Sequence, residues 1–271
     1  MADSYHRVGE ADFTLLPNPP AGTHYFGFDT STGKFSTKDS AGVVEAMATA
    51  SQLVADYAQM RQDSAIWAGN GQPLRSGANW VYFDAEDVDT NNFHDATAQE
   101  TGTATGTHST TTLQDTGQAW TVNEWTGFYC RITGGTNIDD VVKILSNTAD
   151  TITVDSTWQT TVDNTSAYEF SLAGRLTTLE AGVYQISPRL TYQNSTTGLR
   201  GLFIYKNGAF FNSVFLEPVD NVESAAWLNP QLIAMGVGDY VEIQSYQTAA
   251  PGHELLAFGA RNTCSIIKIG D

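Results

Sequence analysis

Asp87, Asp89 and Asn91 stand at alternate positions in "DVDTNN", the spacing of the first three ligands of an EF-hand calcium loop. Such a loop next needs glycine at its sixth position for a sharp turn and a bidentate glutamate at its twelfth. Asn92 and Ala98 hold those positions, so the EF-hand reading fails and only a looser carboxylate site is left open. "TGK" at residues 32–34 imitates a phosphate-binding loop, but Phe28 stands where the first glycine belongs, and Phe35 rather than Ser or Thr follows Lys34. His6, His24, His94, His108 and His253 are scattered, without the spacing of a metal site. There is no G-x-S-x-G and no H-E-x-x-H. A carboxylate pair for glycan cleavage cannot be read from spacing, and 30 acidic residues make some close pair inevitable. Trp120, Trp125 and Trp158 could stack on sugars, but three such rings in a small module more often form its core. The chemistry-bearing residues therefore predict no catalytic group, no metal and no cofactor.

The elements around these residues carry more information. Lys and Arg total 13 against 30 Asp and Glu, a formal charge of −17, which argues against binding a nucleic-acid backbone. Cys130 and Cys264 lie far apart and fit no disulfide framework. "MADSYHRVGEADF" has no apolar signal core, and no run approaches the ~20 apolar residues of a membrane span. The expectation is a soluble chain that folds in a cytoplasm.

Thr, Gly, Asn and aromatics are plentiful, and turn residues recur between short alternating runs, the texture of a sandwich or barrel. Pro17, Pro19 and Pro20 predict an extended arm, and "HYFGFD" and "KFSTKD" a small hairpin around "TSTG". Val43, Met47, Ala50, Val54 and Tyr57 share an a/d spacing. That spacing predicts a helix over 43–66, either a short coiled-coil neck or an amphipathic helix on a sheet. "AGNGQPLRSG" reads as a linker.

Strands are predicted at Trp80–Phe83, Arg175–Leu179, Val183–Ile186, Leu190–Gln193, Arg200–Lys206, Ala209–Val214, Ala226–Ala234, Tyr240–Tyr246 and Thr263–Ile269. Asn207-Gly208 between two of them is a strong hairpin signal. Residues 101–173 differ in texture, with strands at "GFYCRIT", "DVVKILS", "DTITVDS" and "AYEFSL", and read as an autonomous module inserted in a loop. The expected divisions are an arm and hairpin over 1–42, a helix and linker over 43–78, a jelly roll over 79–100 plus 174–271, and the module over 101–173. The fold class is mainly β: a jelly-roll sandwich with an inserted β module, an N-terminal arm and hairpin, and one short helix.

"GVYQISPRLTY", "LFIYKNG", "GVGDYVEIQSYQ" and "SIIKIGD" follow the order and spacing of a complement-globular-head, or TNF-like, jelly roll, which the chain resembles. Gly182, Tyr184, Asn207, Gly208, Gly238 and Asp239 fall on that family's motif positions. The arm and hairpin, and the Trp-bearing module, resemble segments of bacteriophage virion proteins. The resemblance implies a homotrimer, with Tyr205, Phe210 and Phe211 filling the core and the surface shared by subunits. It also implies a decoration or cement protein on the phage head, made in the host cytoplasm. Pro17, Pro19, Pro20, Tyr25, Phe26 and Phe28 would then attach it to the major capsid protein. A tail-fibre knob that binds a host-surface receptor is the alternative. Neither reading involves nucleic acid or membrane insertion.

Overall fold

Alternating apolar runs become strands along almost the whole chain. The structure, a computed structural model, describes residues 4–11, 15–21, 23–29, 34–38, 40–48, 56–69, 71–217, 222–249, 253–257 and 261–270. The chain divides into two compact units, Met1–Ala55 and Asp56–Asp271. The first is one sheet of β1 (Ser4–Ala11), β2 (Thr23–Asp29), β3 (Lys34–Lys38) and β4 (Val44–Ala48) in that order. β1 runs parallel to β2 and the other pairs are antiparallel. The proline segment between β1 and β2 joins no ladder, as three fixed φ angles and three missing N–H groups require. Lys38, buried, ties β3 to it by donating to the Leu16 carbonyl at 2.6 Å.

The second unit opens with β5 (Tyr57–Arg61), β6 (Gly71–Leu74), β7 (Gly77–Trp80) and β8 (Ala85–Asp89). The inserted module supplies β9 (Glu100–Thr103), β10 (Thr112–Gln114), β11 (Tyr129–Gly134), β12 (Val141–Asn147), β13 (Thr151–Val154) and β14 (Ala167–Ser171). After it come β15 (Arg175–Thr177), β16 (Gly182–Tyr192), β17 (Arg200–Lys206), β18 (Ala209–Leu216) and β19 (Ser224–Trp227). The chain closes with β20 (Gln231–Met235), β21 (Tyr240–Gln247), β22 (His253–Leu256) and β23 (Thr263–Gly270).

One sheet runs β6-β22-β16-β23-β5-β8, with β19 and β20 also paired to β16; a second runs β15-β21-β17-β18, with β7 on β21. Their inward residues form one apolar core that includes Met60, Tyr184, Ile186, Leu202, Ile204, Val241, Ile243 and Ile266. This is a β-sandwich. The module has its own sheet, β10-β13-β12-β11-β14-β9, over a core containing all three of Trp120, Trp125 and Trp158. Cys130 lies in the module's core and Cys264 in the sandwich's; both are free, and burial raises both thiol pKa values.

The helix expected over 43–66 is not what forms at either end of that range. Val44–Ala48 and Tyr57–Arg61 are strands, and residues 49–55 lie outside the described residues. β5 sits between β23 and β8, so its alternating burial of Ala58 and Met60 is satisfied by ladders on both edges. Two ladders outweigh the weak prior of local helical spacing. Among the described residues the helical element is the 3-10 turn Ser64–Ile66, capped by Asp63. The expected linker is also structured: Gly71–Leu74 pairs with β22 and buries Gln72 and Leu74.

β16 runs unbroken through Pro188, where two strands were expected. Pro188 falls between Ile186, the last partner of β20, and Arg189, the first partner of β19. Its missing N–H therefore sits in a gap between two neighbours. Conversely, the run expected as one strand at 226–234 is the two strands β19 and β20, interrupted at Asn229-Pro230.

Candidate functional site

Among the described residues two places concentrate chemistry-bearing or exposed apolar side chains: the junction of module and sandwich, and the face around β18. The junction forms because β11 and β12 present Tyr129, Arg131, Val141 and Lys143 to Trp67, Trp80 and Tyr82 of the sandwich. At its centre Glu242, fully buried on β21, accepts from the Tyr129 hydroxyl at 2.7 Å, Lys143 Nζ at 2.6 and 2.7 Å, and Arg175 Nε at 2.9 Å. Lys143 lies 4.4 Å over the Trp80 ring, and Arg175 4.1 Å over that of Tyr240. Burial holds the Lys143 pKa below its usual value despite Glu242, and burial with the Glu242 charge pushes Tyr129 far up.

A second buried arginine repeats the theme. Arg131 pairs with Asp139 at 3.0 Å and Glu169 at 3.3 Å, and stacks 4.9 Å from the Trp67 ring. Arg75 pairs with Asp140, and the Trp80 indole N–H donates to Asp155. Each of these contacts joins module to sandwich or orders the module loop that does so. The carboxylates of this network accept from fixed donors, so the arrangement fastens two layers. The module's inner face is thus part of a buried layer shared with the sandwich.

Asp84, beside this junction, is different. Its Oδ1 accepts from Asp63 N at 2.9 Å, whereas Oδ2 is buried without a hydrogen-bond partner among the described residues. Burial raises its pKa to about 6. The native state therefore holds this proton more tightly than the unfolded chain, and stability falls as pH rises from about 4 to about 6. Asp84→Asn is expected to flatten that part of the pH–stability curve and to stabilise the fold by about 1–2 kcal/mol at pH 7. Urea unfolding at pH 4 and pH 7 checks it; equal effects at the two pH values would contradict the assignment.

The calcium-like residues do other work. Asp89 accepts from the backbone N–H groups of Asn91, Phe93 and His94, and Asp87 pairs with Arg61 at 2.8 Å. Among the described residues no three His, Cys, Asp or Glu side chains gather closely enough to hold a metal ion. His94 is buried with Nδ1 2.9 Å from Glu86 and Nε2 2.9 Å from the Ala173 carbonyl.

The β17–β18 hairpin turns at Asn207 (φ +50°) and Gly208 (φ +73°), the paired positive angles of a type I′ turn. Asn207 donates to Asp239 Oδ1 at 2.7 Å and accepts from Tyr240 N at 2.9 Å, so the hairpin is tied to the Gly238-Asp239 turn. Gly238 also has positive φ, and its N–H donates to Thr178. Backbone and Lys206 donors hold the Asp239 pKa down at about 2. Tyr184 is fully buried in the core, and Tyr205 is half-buried against Trp80, 5.3 Å between ring centroids.

Phe210 and Phe211, expected to fill the core and the surface shared by subunits, are 57% and 41% exposed and so lie outside the single chain's core. β18 is an edge strand with no charged residue, and β17 is its ladder partner among the described residues. On its outer side Phe203, Phe210, Phe215 and Tyr246 form edge-to-face contacts 5.3–6.1 Å between centroids. Gly201 makes room for them, since a Cβ there would meet the Phe215 ring at 3.0 Å. On its other side a cleft of about 360 Å³ is lined by Val214, Leu216, Trp227 and Leu228. Trp227 and Leu232 are 62% and 60% exposed.

Of the expected attachment residues, Pro17 and Pro20 are exposed, Pro19 is buried and Tyr25 is half-buried on β2. The side chains of Phe26 and Phe28 lie outside the described residues.

The sheets define a mainly β protein, a sandwich that carries an inserted β module. No family model and no curated protein matches the chain. A solved structure described as Eiger TNF from S. frugiperda is similar at 16% identity over 37% of this chain and 68% of that chain, with a TM-score of 0.29. So loose a superposition carries no argument here, and the sandwich assignment rests on the strand pairing.

Proposed function

We propose that the chain is a bacteriophage virion structural protein that assembles as a homotrimer and decorates the head. In this reading the N-terminal unit attaches to the major capsid protein and the sandwich faces outward. The observation that carries the reading is the uncharged edge strand β18, with exposed aromatic and aliphatic side chains on both sides. An edge of this kind invites association unless another surface covers it, and large rigid aromatics are what subunit interfaces favour. The virion assignment rests on the resemblance of the arm and module to phage proteins. The division at Ala55 suits an attachment unit separate from the body. A fibre knob would use a coiled-coil neck, and 44–48 and 57–61 are strands instead.

Light scattering at micromolar concentration is expected to give three chains per particle. Phe210→Ser with Phe215→Ser is expected to give folded monomers, because both rings are exposed in the single chain. A wild-type monomer would contradict the trimer. A chain lacking residues 1–55 is expected to remain trimeric and to lose binding to phage heads.

A further inference from the structure

Arg200 opens β17 at one end of the sandwich and is 1% exposed. Its Nη1 reaches the carbonyls of Thr197, Gly198 and Leu199 at 3.2–3.3 Å, long contacts for a charged donor. Gly198, at φ +81°, lets this loop turn back tightly, since a Cβ there would stand 2.3 Å from the Ala249 nitrogen. The guanidinium also lies 5.8 Å over the Tyr192 ring. These dipoles hold the arginine, but among the described residues no carboxylate pairs with it and Nη2 has no hydrogen-bond partner. A buried cation normally has a counter-charge.

Two further unpartnered atoms belong to residues at this end of the sandwich. Gln247, fully buried, is the register partner of Arg200 across β17 and β21. Its Nε2 donates to the Arg75 carbonyl at 2.8 Å, with the Leu74 carbonyl at 3.5 Å. Reversing the amide would set oxygen against those carbonyls, so Oε1 is the atom left over, and it is an acceptor. Leu74 is in turn the register partner of His253, whose Nδ1 is buried and unpartnered. Burial, and then the Arg200 charge, lower the His253 pKa and keep the ring neutral at pH 7. A neutral imidazole can carry its proton on Nδ1 and donate from there.

We propose that Arg200, Gln247 and His253 form a binding site for a small protonated oxyanion of the hydrogen-phosphate type. Arg200 Nη2 supplies charge and a donor, His253 Nδ1 a second donor, and Gln247 Oε1 accepts from the P–OH group. The acceptor sets the specificity. Sulfate at pH 7 has no proton to offer and would turn a bare oxygen toward Gln247 Oε1. The same phosphate group can come as free inorganic phosphate or as the end of a phosphate monoester.

Calorimetric titration of the full-length protein at pH 7 tests this with three probes: inorganic phosphate, sulfate and glycerol phosphate. Phosphate is expected to bind once per chain, and sulfate about 10-fold or more weakly, because an acceptor would be left facing an acceptor. Tighter binding of glycerol phosphate than of phosphate assigns the site to a monoester, and the reverse to the free ion. Arg200→Met is expected to abolish binding and His253→Phe to weaken it about 10-fold. If circular dichroism shows Arg200→Met unfolded, His253→Phe is the deciding variant. No saturable binding, equal binding of phosphate and sulfate, or unchanged binding in the deciding variant overturns the proposal.

Discussion

Glu242→Gln is expected to cost about 3–5 kcal/mol of stability, the usual consequence of removing one member of a buried ion pair. The glutamate is fully buried and is the carboxylate shared by Lys143, Arg175 and the Tyr129 hydroxyl. Glutamine keeps the shape and one acceptor oxygen, but it leaves two largely buried cations without the carboxylate they share. The new amide N–H groups would face Lys143 Nζ, which can only donate. Replacing Glu242, Lys143 and Arg175 together by methionine should recover much of the loss, because the desolvation of all three charges is then avoided. Urea unfolding curves check both. A Glu242→Gln variant within about 1 kcal/mol of wild type would show that the network is open to water and screened.

The second large effect concerns the module. Replacing residues 101–173 with a short Gly-Ser bridge is expected to leave a sandwich that does not accumulate as folded protein. The excision removes the module side chains packed on Trp67, Trp80 and Tyr82, all buried, and strips Lys143 from Glu242 and Asp140 from Arg75. Uncovering three aromatic side chains alone forfeits about 1.5–3 kcal/mol each. Together with the stranded charges, that equals the 5–15 kcal/mol by which domains are typically stable. Soluble yield and a thermal melt followed by circular dichroism give the answer. A cooperative melt near the wild-type temperature would mean that the module rests lightly on the sandwich.

The local pattern already carried much of the strand content. Asn207-Gly208 marked its hairpin because a type I′ turn demands positive φ at both residues. The runs around Cys130, Lys143, Ile152 and Tyr168 became β11, β12, β13 and β14, since alternation over a half-buried sheet leaves a period of two in the residues themselves. What failed were segments whose structure depends on distant partners. Tyr57–Arg61 alternates as well as it spirals, and the choice was made by β23, some two hundred residues away. Gly71–Leu74 looks like a linker until β22 pairs with it. The junction was illegible for the same reason. Glu242, Lys143, Arg175 and Tyr129 are ordinary residues in four separate strands, and only the fold brings their charges together. Arg200 gave no signal either. Its burial without a carboxylate is a property of position.

In the proposed function the sandwich decorates a phage head as a trimer, held there by its N-terminal unit. Three attachment units in one particle would bind together, so weak single contacts could give lasting attachment. The most direct measurement is the number of copies per virion, by quantitative mass spectrometry of purified particles against the major capsid protein. Decoration predicts a copy number comparable to that of the major capsid protein. A handful of copies confined to the tail would contradict it.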